Sequence, residues 1–165
     1  MILGIDCSQG LNLIFFDKKN LIYQYKNHNI KNASEILVLK IENCLNKINK
    51  NYSHLSKIII VNGPGSFTGI RCAVTFAKIM KISLSIPIYG FSKFELANFF
   101  YYKKLKNKNI KKRIFLQYKE NDFFYVAFNE NKLIADPEII NISKFNFDDY
   151  SKDLFICDNN IILDF

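Results

Sequence analysis

Residues 63–71 read Gly-Pro-Gly-Ser-Phe-Thr-Gly-Ile-Arg. Three glycines and a proline in seven residues make a backbone that can take positive φ and lie close against another backbone. The residues before it, Lys57 to Val61 (KIIIV), form an apolar run too short for a helix. That run reads as a strand covered on both faces. After Gly69 the sequence predicts a helix carrying Ile70, Ala73, Val74, Phe76, Ala77, Ile79 and Met80. It is apolar around most of its circumference, so it needs cover on more than one side. A loop between a buried strand and a helix N-terminus can cradle an anion, because free amide N–H groups point out of it. Yet no Lys-Ser/Thr pair follows the glycines, as a P-loop requires, and the spacing is not that of the dinucleotide fingerprint. Gly63, Pro64, Gly65, Ser66, Phe67, Thr68, Gly69 and Arg71 therefore form either a phosphate-binding turn or a structural turn that lets two helices approach.

Upstream, residues 1–6, 11–17 and 21–25 read as three strands, with a turn at Lys18-Lys19-Asn20. Three strands in quick succession make an antiparallel meander. A helix follows, with Asn32 as N-cap and Glu35 placed close to a capping box. Its apolar positions Leu37, Ile41, Cys44 and Ile48 follow helical spacing. Downstream, Ile86 to Tyr89 is a short strand and Ser92 to Tyr102 a third helix, with Glu95 near its start. Residues 103–113 (KKLKNKNIKKR) are lysine-rich. Strands follow at 113–119 and 122–129 around a turn at Glu120-Asn121, then at 139–142 and 154–157. The expected division is a first domain at 1–102, a connector at 103–112 and a smaller, mostly stranded part at 113–165.

The chain has 165 residues, 49% apolar and 23% charged, which is globular composition. Its net charge is +8, but only Arg71 and Arg113 of the 23 basic residues are arginine. With 20 Asn and 25 Ile beside them, the lysines reflect compositional bias as much as a nucleic-acid surface, which favours arginine. Residues 1–119 hold 20 basic and 5 acidic side chains, net +15; residues 120–165 hold 3 basic and 10 acidic, net −7. The two parts can attract each other, or the basic part can face an acidic partner. Cys7, Cys44, Cys72 and Cys157 have no metal-pair spacing and read as buried thiols. His28 and His54 form no helical ligand pair, so no metal site is expected. No apolar run approaches membrane-spanning length, and Met1 opens straight into Ile-Leu-Gly-Ile-Asp with no basic leader. The expected location is the cytoplasm, away from membranes.

GPGSFTGIR, followed by a helix and then IPIYGFSKFELA, resembles the signature of the TsaB family, a partner protein in threonylcarbamoyl-adenosine synthesis at position 37 of tRNA. The opening MILGIDCS is similar to that family's start, and Ser34-Glu35 to the end of its His-Ser-Glu helix start. The resemblance covers residues 1–100 well and 113–140 loosely. It implies an α/β fold of the actin-like (ASKHA) kind, a βββαβα first domain plus a partial, reduced second domain. Ala33 stands where the family usually has His, and Gln117-Tyr118-Lys119 where it usually has Asp-Ala-Arg. The chain stops at Phe165, short of typical members.

The resemblance also implies a role. Asp6 and Ser8 sit after the first strand, where actin-like ATPases contact phosphate and metal, so an ATP- or ADP-binding reading is the first alternative. The second half shows no glycine-rich counterpart to complete such a site. The transferase paralogue, TsaD, holds its metal with two histidines one helical turn apart, and no such pair occurs here. A serine-hydrolase role for Ser66 lacks the Gly-x-Ser-x-Gly elbow. The expectation is a non-catalytic scaffold without cofactor. It would form a heterodimer with a TsaD-type transferase through the helices flanking the loop, with a TsaE-type ATPase as a further partner. Alone it would form a homodimer, and tRNA would be met mainly through the complex. The expected contacts are Leu37, Ile41 and Ile48 on the first helix and Ile70, Val74, Ala77 and Met80 on the second. Arg71 either anchors the loop or meets a partner carboxylate. Phe99-Phe100-Tyr101-Tyr102, followed by lysines, has the aromatic and basic character of single-strand RNA sites and also suits a helix's buried face. A nonspecific RNA-binding module is therefore the second alternative.

Overall fold

Polar turns break the first thirty residues into strands. Lys18, at a φ of 52°, closes the turn between β2 (Leu11–Asp17) and β3 (Asn20–Asn27). In the computed structural model, which describes residues 1–30, 32–104 and 109–157, β1 (Ile2–Asp6) pairs antiparallel with β2 and β2 with β3. This is the expected meander. After α1 (Ala33–Lys47), β4 (Lys57–Val61) lies parallel to β1. After α2 (Phe67–Leu84), β5 (Ile88–Phe91) lies parallel to β4. The sheet order β3-β2-β1-β4-β5 is the βββαβα arrangement of the actin-like fold.

Strand alternation puts Leu3, Ile5, Leu11, Leu13 and Phe15 on one face, all buried. Against them pack Leu37, Ile41, Cys44 and Leu45 of α1 and Ala73, Phe76 and Ala77 of α2. Two helix starts differ from expectation. Asn32 precedes α1 but makes no side-chain cap; its amide donates to Glu35 Oε2 at 3.2 Å, so the capping box is not formed. Helix α2 begins at Phe67, before Gly69, because the Ser66 hydroxyl accepts from the Gly69 N–H at 3.3 Å and serves as its cap.

The chain divides into two compact units, Met1–Ser92 and Lys93–Phe165. The first unit thus ends ten residues before the expected boundary at 102. Helix α3 (Lys93–Lys104) belongs to the second unit because it buries Phe94 against Ile114, Leu116, Val126 and Phe128. The second sheet holds β6 (Lys111–Lys119), β7 (Asp122–Asn129), β8 (Lys132–Asn141) and β9 (Leu154–Cys157) in the order β8-β7-β6-β9. Pairs β6–β7 and β7–β8 are antiparallel and β6–β9 is parallel, so the sheet repeats the β3-β2-β1-β4 pattern of the first unit. Its other face is covered by Phe145 and Phe147, which pack on Phe115, Phe123 and Tyr125. Strand β8 begins seven residues before the expected start at Ile139. It carries Pro137, tolerated because an edge strand can lose an N–H without breaking the ladder.

The lysine-rich connector is shorter than expected. Residues 105–108 of it lie outside the described residues, while Lys111 and Lys112 already belong to β6. Lys112 is fully buried; its Nζ donates to the Glu130 carbonyl at 2.9 Å and lies 5.2 Å from the Tyr102 ring centroid. Burial pulls its pKa below the ordinary lysine range. Arg113 is buried too. Its Nε meets Asp153 Oδ2 at 2.8 Å, its Nη1 donates to the Tyr125 hydroxyl, and its guanidinium stacks 3.4 Å from the Tyr150 ring centroid. Among the described residues no helix is long and apolar enough to cross a membrane.

Candidate functional site

The glycine loop is built on a close approach of backbones. It leaves β4 at Val61 and returns to α2 over the turn that follows β1. The Ser66 N–H donates to the Ser8 carbonyl at 2.7 Å. Gly65 has a φ of +153°, and a Cβ there would overlap the Ser8 carbonyl oxygen and lie 2.6 Å from Ser8 Cβ. A Cβ on Gly69 would run into the Cys7 carbonyl oxygen and sit 3.3 Å from Cys7 Cβ. The glycines are therefore what lets the first turn of α2 rest on Cys7 and Ser8.

Asp6 and Ser8 close on each other beneath that loop. Asp6 Oδ1 accepts from the Ser8 N–H at 2.8 Å and from the Ser8 hydroxyl at 2.6 Å. The pair ties the turn after β1, as an Asx turn does. Cys7 is buried between them and α2. Burial, the neighbouring Asp6 charge and Cys72 push its thiol up to about 12, so it is not a nucleophile at neutral pH. Among the described residues no group of three or more His, Cys, Asp or Glu side chains could hold a metal ion.

The helices flanking the loop lie side by side, and the Cys72 thiol of α2 donates to the Ser34 carbonyl of α1 at 3.3 Å. The structure redistributes the residues expected to meet a partner. Leu37, Ile41 and Ala77 are fully buried in the first unit's core and cannot contact another protein. Ile48, Val74 and Met80 are half-buried against that same core. Ile70 is half-buried beside Gly63. The outer face instead carries Val38, Phe67, Ile79 and Ile82, each more than half exposed. Between the helices runs a shallow groove of about 430 Å³, lined by Val38, Phe67, Arg71, Cys72, Thr75 and Ile79 among others. Arg71 is exposed, and its guanidinium lies 5.1 Å from the ring centroid of Phe67 in the loop.

Helical spacing selected the core stripe and missed the outer face for a physical reason. The positions that repeat at i, i+4 and i+7 are those facing the sheet. Val38 and Ile82 sit off that stripe. The signal that marks them is surplus: apolar side chains left over once the core face is filled.

A meander, two helices over one face of its sheet, and a glycine loop resting on the first strand define a chain of the actin-like class. The family model described as "TsaD: tRNA N6-adenosine threonylcarbamoyltransferase" matches residues 25–107, half of the chain. The chain is 37% identical over 95 residues to the tRNA threonylcarbamoyladenosine biosynthesis protein TsaB of Bacillus subtilis (strain 168), covering 57% of this chain and 42% of that protein. It is 32% identical over 111 residues to TsaB of Buchnera aphidicola subsp. Schizaphis graminum (strain Sg), covering 67% and 52%. The solved structure of YeaZ from Pseudomonas aeruginosa shares the fold, with a TM-score of 0.65 at 13% identity over 88% of this chain and 68% of that one. The chain belongs to the TsaB family. It spans about half the length of the curated relatives it matches.

Proposed function

We propose that the chain is a non-catalytic scaffold subunit in threonylcarbamoylation of adenosine 37 of tRNA. It docks on a TsaD-type transferase through the outer face of α1 and α2. The observation that carries this reading is the face itself: Val38, Phe67 and Ile79 are exposed apolar residues lining one groove, and Ile82, also exposed, follows Ile79 by three positions on α2. Keeping apolar area in water costs about 25 cal/mol per Å². A second pair of helices laid across it would remove that cost and complete a four-helix arrangement. The buried residues Leu37, Ile41 and Ala77 hold the two helices on the sheet that presents this face. Arg71, exposed beside Phe67, would meet a carboxylate of the partner in this reading. The family resemblance adds a TsaE-type ATPase as a further partner and the cytoplasm as the place of work. It leaves tRNA to be met mainly through the complex. Without the transferase, the same face pairs with a second copy of the chain. The rival reading, ATP or ADP bound at Asp6 and Ser8, draws no support from a carboxylate that already holds two donors of Ser8.

Size-exclusion chromatography with light scattering, on the chain alone and mixed with its TsaD-type transferase, tests the proposal. The expected result is a homodimer that exchanges into a heterodimer, with Ile79→Asp and Ile82→Asp blocking both while circular dichroism stays unchanged. A folded monomer that ignores the transferase would refute it.

A further inference from the structure

Helix α3 is apolar on two sides. Phe94, Ala97 and Tyr101 pack on the second sheet. On the opposite side, at i, i+3, i+4 and i+7, stand Leu96, Phe99, Phe100 and Lys103, with Lys104 beside them. Leu96, Phe99 and Phe100 are exposed, the two phenylalanines by more than half. The lysines are not spread at random over the helix. Lys103 Nζ lies 4.7 Å from the Phe99 ring centroid, and Lys104 Nζ lies 4.1 Å from that of Phe100. Each exposed ring thus carries its own cation. The only acidic residue of the helix, Glu95, lies in its first turn, one helical turn before Phe99, while the last turn carries Lys103 and Lys104.

We propose that this face of α3 is a contact for a single-stranded stretch of RNA. Flat rings beside cations match a polyanion whose bases stack, and neither feature alone would. A base stacks on a phenylalanine as the lysine swings from the ring to the neighbouring phosphate. One ring face and one counter-charge are supplied per nucleotide, for two nucleotides. No base edge is read, so the contact is independent of sequence. The choice of RNA as the polyanion rests on the proposed role in tRNA modification; the geometry of the face does not depend on the α1–α2 docking.

Fluorescence anisotropy of the full chain with a labelled single-stranded RNA of alternating adenosine and cytidine tests the contact in the absence of any transferase. Phe99→Ala and Phe100→Ala each weaken binding by about tenfold, the size of a lost base stack. Lys103→Glu with Lys104→Glu flattens the log–log salt dependence by about 1.4, since each neutralised phosphate contributes ~0.7 on a single strand. Lys19→Glu, in the β2–β3 turn, leaves the sensitivity to both phenylalanines intact. The alanine variants sit on an exposed face, and unchanged circular dichroism excludes unfolding as the cause. Binding that ignores both phenylalanines would overturn the proposal, because scattered lysines would then explain it. So would a polyglutamate chain that displaces the RNA at equal charge, which would make the face a site for an acidic protein. Either failure leaves the docking on a transferase untouched, since that is read by light scattering on a different face.

Discussion

Gly69→Ala sets two well-known effects against each other. Inside a helix, glycine to alanine ordinarily stabilises by about 1 kcal/mol, because glycine loses more backbone freedom on folding. Gly69 lies in the first turn of α2 and is buried. Its added Cβ would overlap the Cys7 carbonyl oxygen and come within 3.3 Å of the Cys7 carbonyl carbon and Cβ. A backbone carbonyl at the end of β1 cannot swing away like a side chain. Either α2 lifts off the sheet or β1 bends. Overpacking of this kind costs about 1–3 kcal/mol, and the rigid neighbour puts it toward the upper end. The expected balance is a loss of about 2 kcal/mol. For a unit of this size that lowers the melting temperature by roughly 8–16 °C.

The assay is thermal unfolding by circular dichroism, with Ser83→Ala as a reference. Ser83 is exposed near the end of α2, so its replacement follows propensity alone and raises the melting temperature slightly. A rise of about 4–8 °C for Gly69→Ala would refute the reasoning, for it would mean that α2 does not touch Cys7. An unchanged temperature would refute it as well, because the overlap would then cost no more than the propensity gain.

Leu37→Ala, fully buried in the first unit, should lose about 3–5 kcal/mol in urea unfolding. Ile79→Asp, on the outer face, should stay within about 0.5 kcal/mol of the parent protein when both are compared at concentrations where the parent is monomeric. Arg113→Leu removes one member of a buried pair and strands Asp153, so the second unit should lose about 3–5 kcal/mol at neutral pH, read from its own transition. The Cys7 thiol is raised from 9.0 to about 12 in the folded state, so the unfolded chain releases its proton first. Stability therefore falls as pH rises from 9 toward 12, and Cys7→Ala should reduce that fall; denaturation midpoints across this range measure it. Under native conditions near pH 8, alkylation followed by mass spectrometry should label the half-exposed Cys72 well before Cys7.

Most of the first unit was legible because its signals are local and agree. KIIIV is too short for a helix, the Lys18-Lys19-Asn20 turn separates two alternating runs, and Leu37, Ile41 and Cys44 repeat at helical spacing. Each of these is a backbone preference reinforced by burial. The unit boundary was not legible, since Ser92 to Tyr102 has the pattern of a helix whichever sheet it covers. The burial of Lys112 and Arg113 is not legible for a related reason. A lysine run looks solvated, and only the fold reveals that Glu130, Tyr102, Asp153 and Tyr150 converge on the last two of its members. The glycine loop was legible as a special backbone, but its purpose depended on what it touches. Cys7 and Ser8 lie some sixty residues earlier, and no local pattern joins them to Gly65 and Gly69.

The same distinction governs how the helices present themselves to partners. A core stripe is fixed by periodicity, so it can be read from one helix alone. An outer apolar face has no period of its own, and its chemistry lies in its flanks. On α1 and α2, Val38, Phe67 and Ile79 line a groove whose one charged lining residue is Arg71. Such a face gains by excluding water, which suits another pair of helices. On α3, Phe99 and Phe100 each lie under a lysine, so desolvating the rings would also strip two ammonium groups of water. An apolar partner would leave those charges unpaired, at a cost that outweighs two buried rings. A phosphate backbone would pair them and offer bases to the rings at once. The chain thus carries two exposed apolar surfaces that one partner could not satisfy equally. The charges at their edges, more than their hydrophobicity, are why we propose a protein partner for the first and RNA for the second.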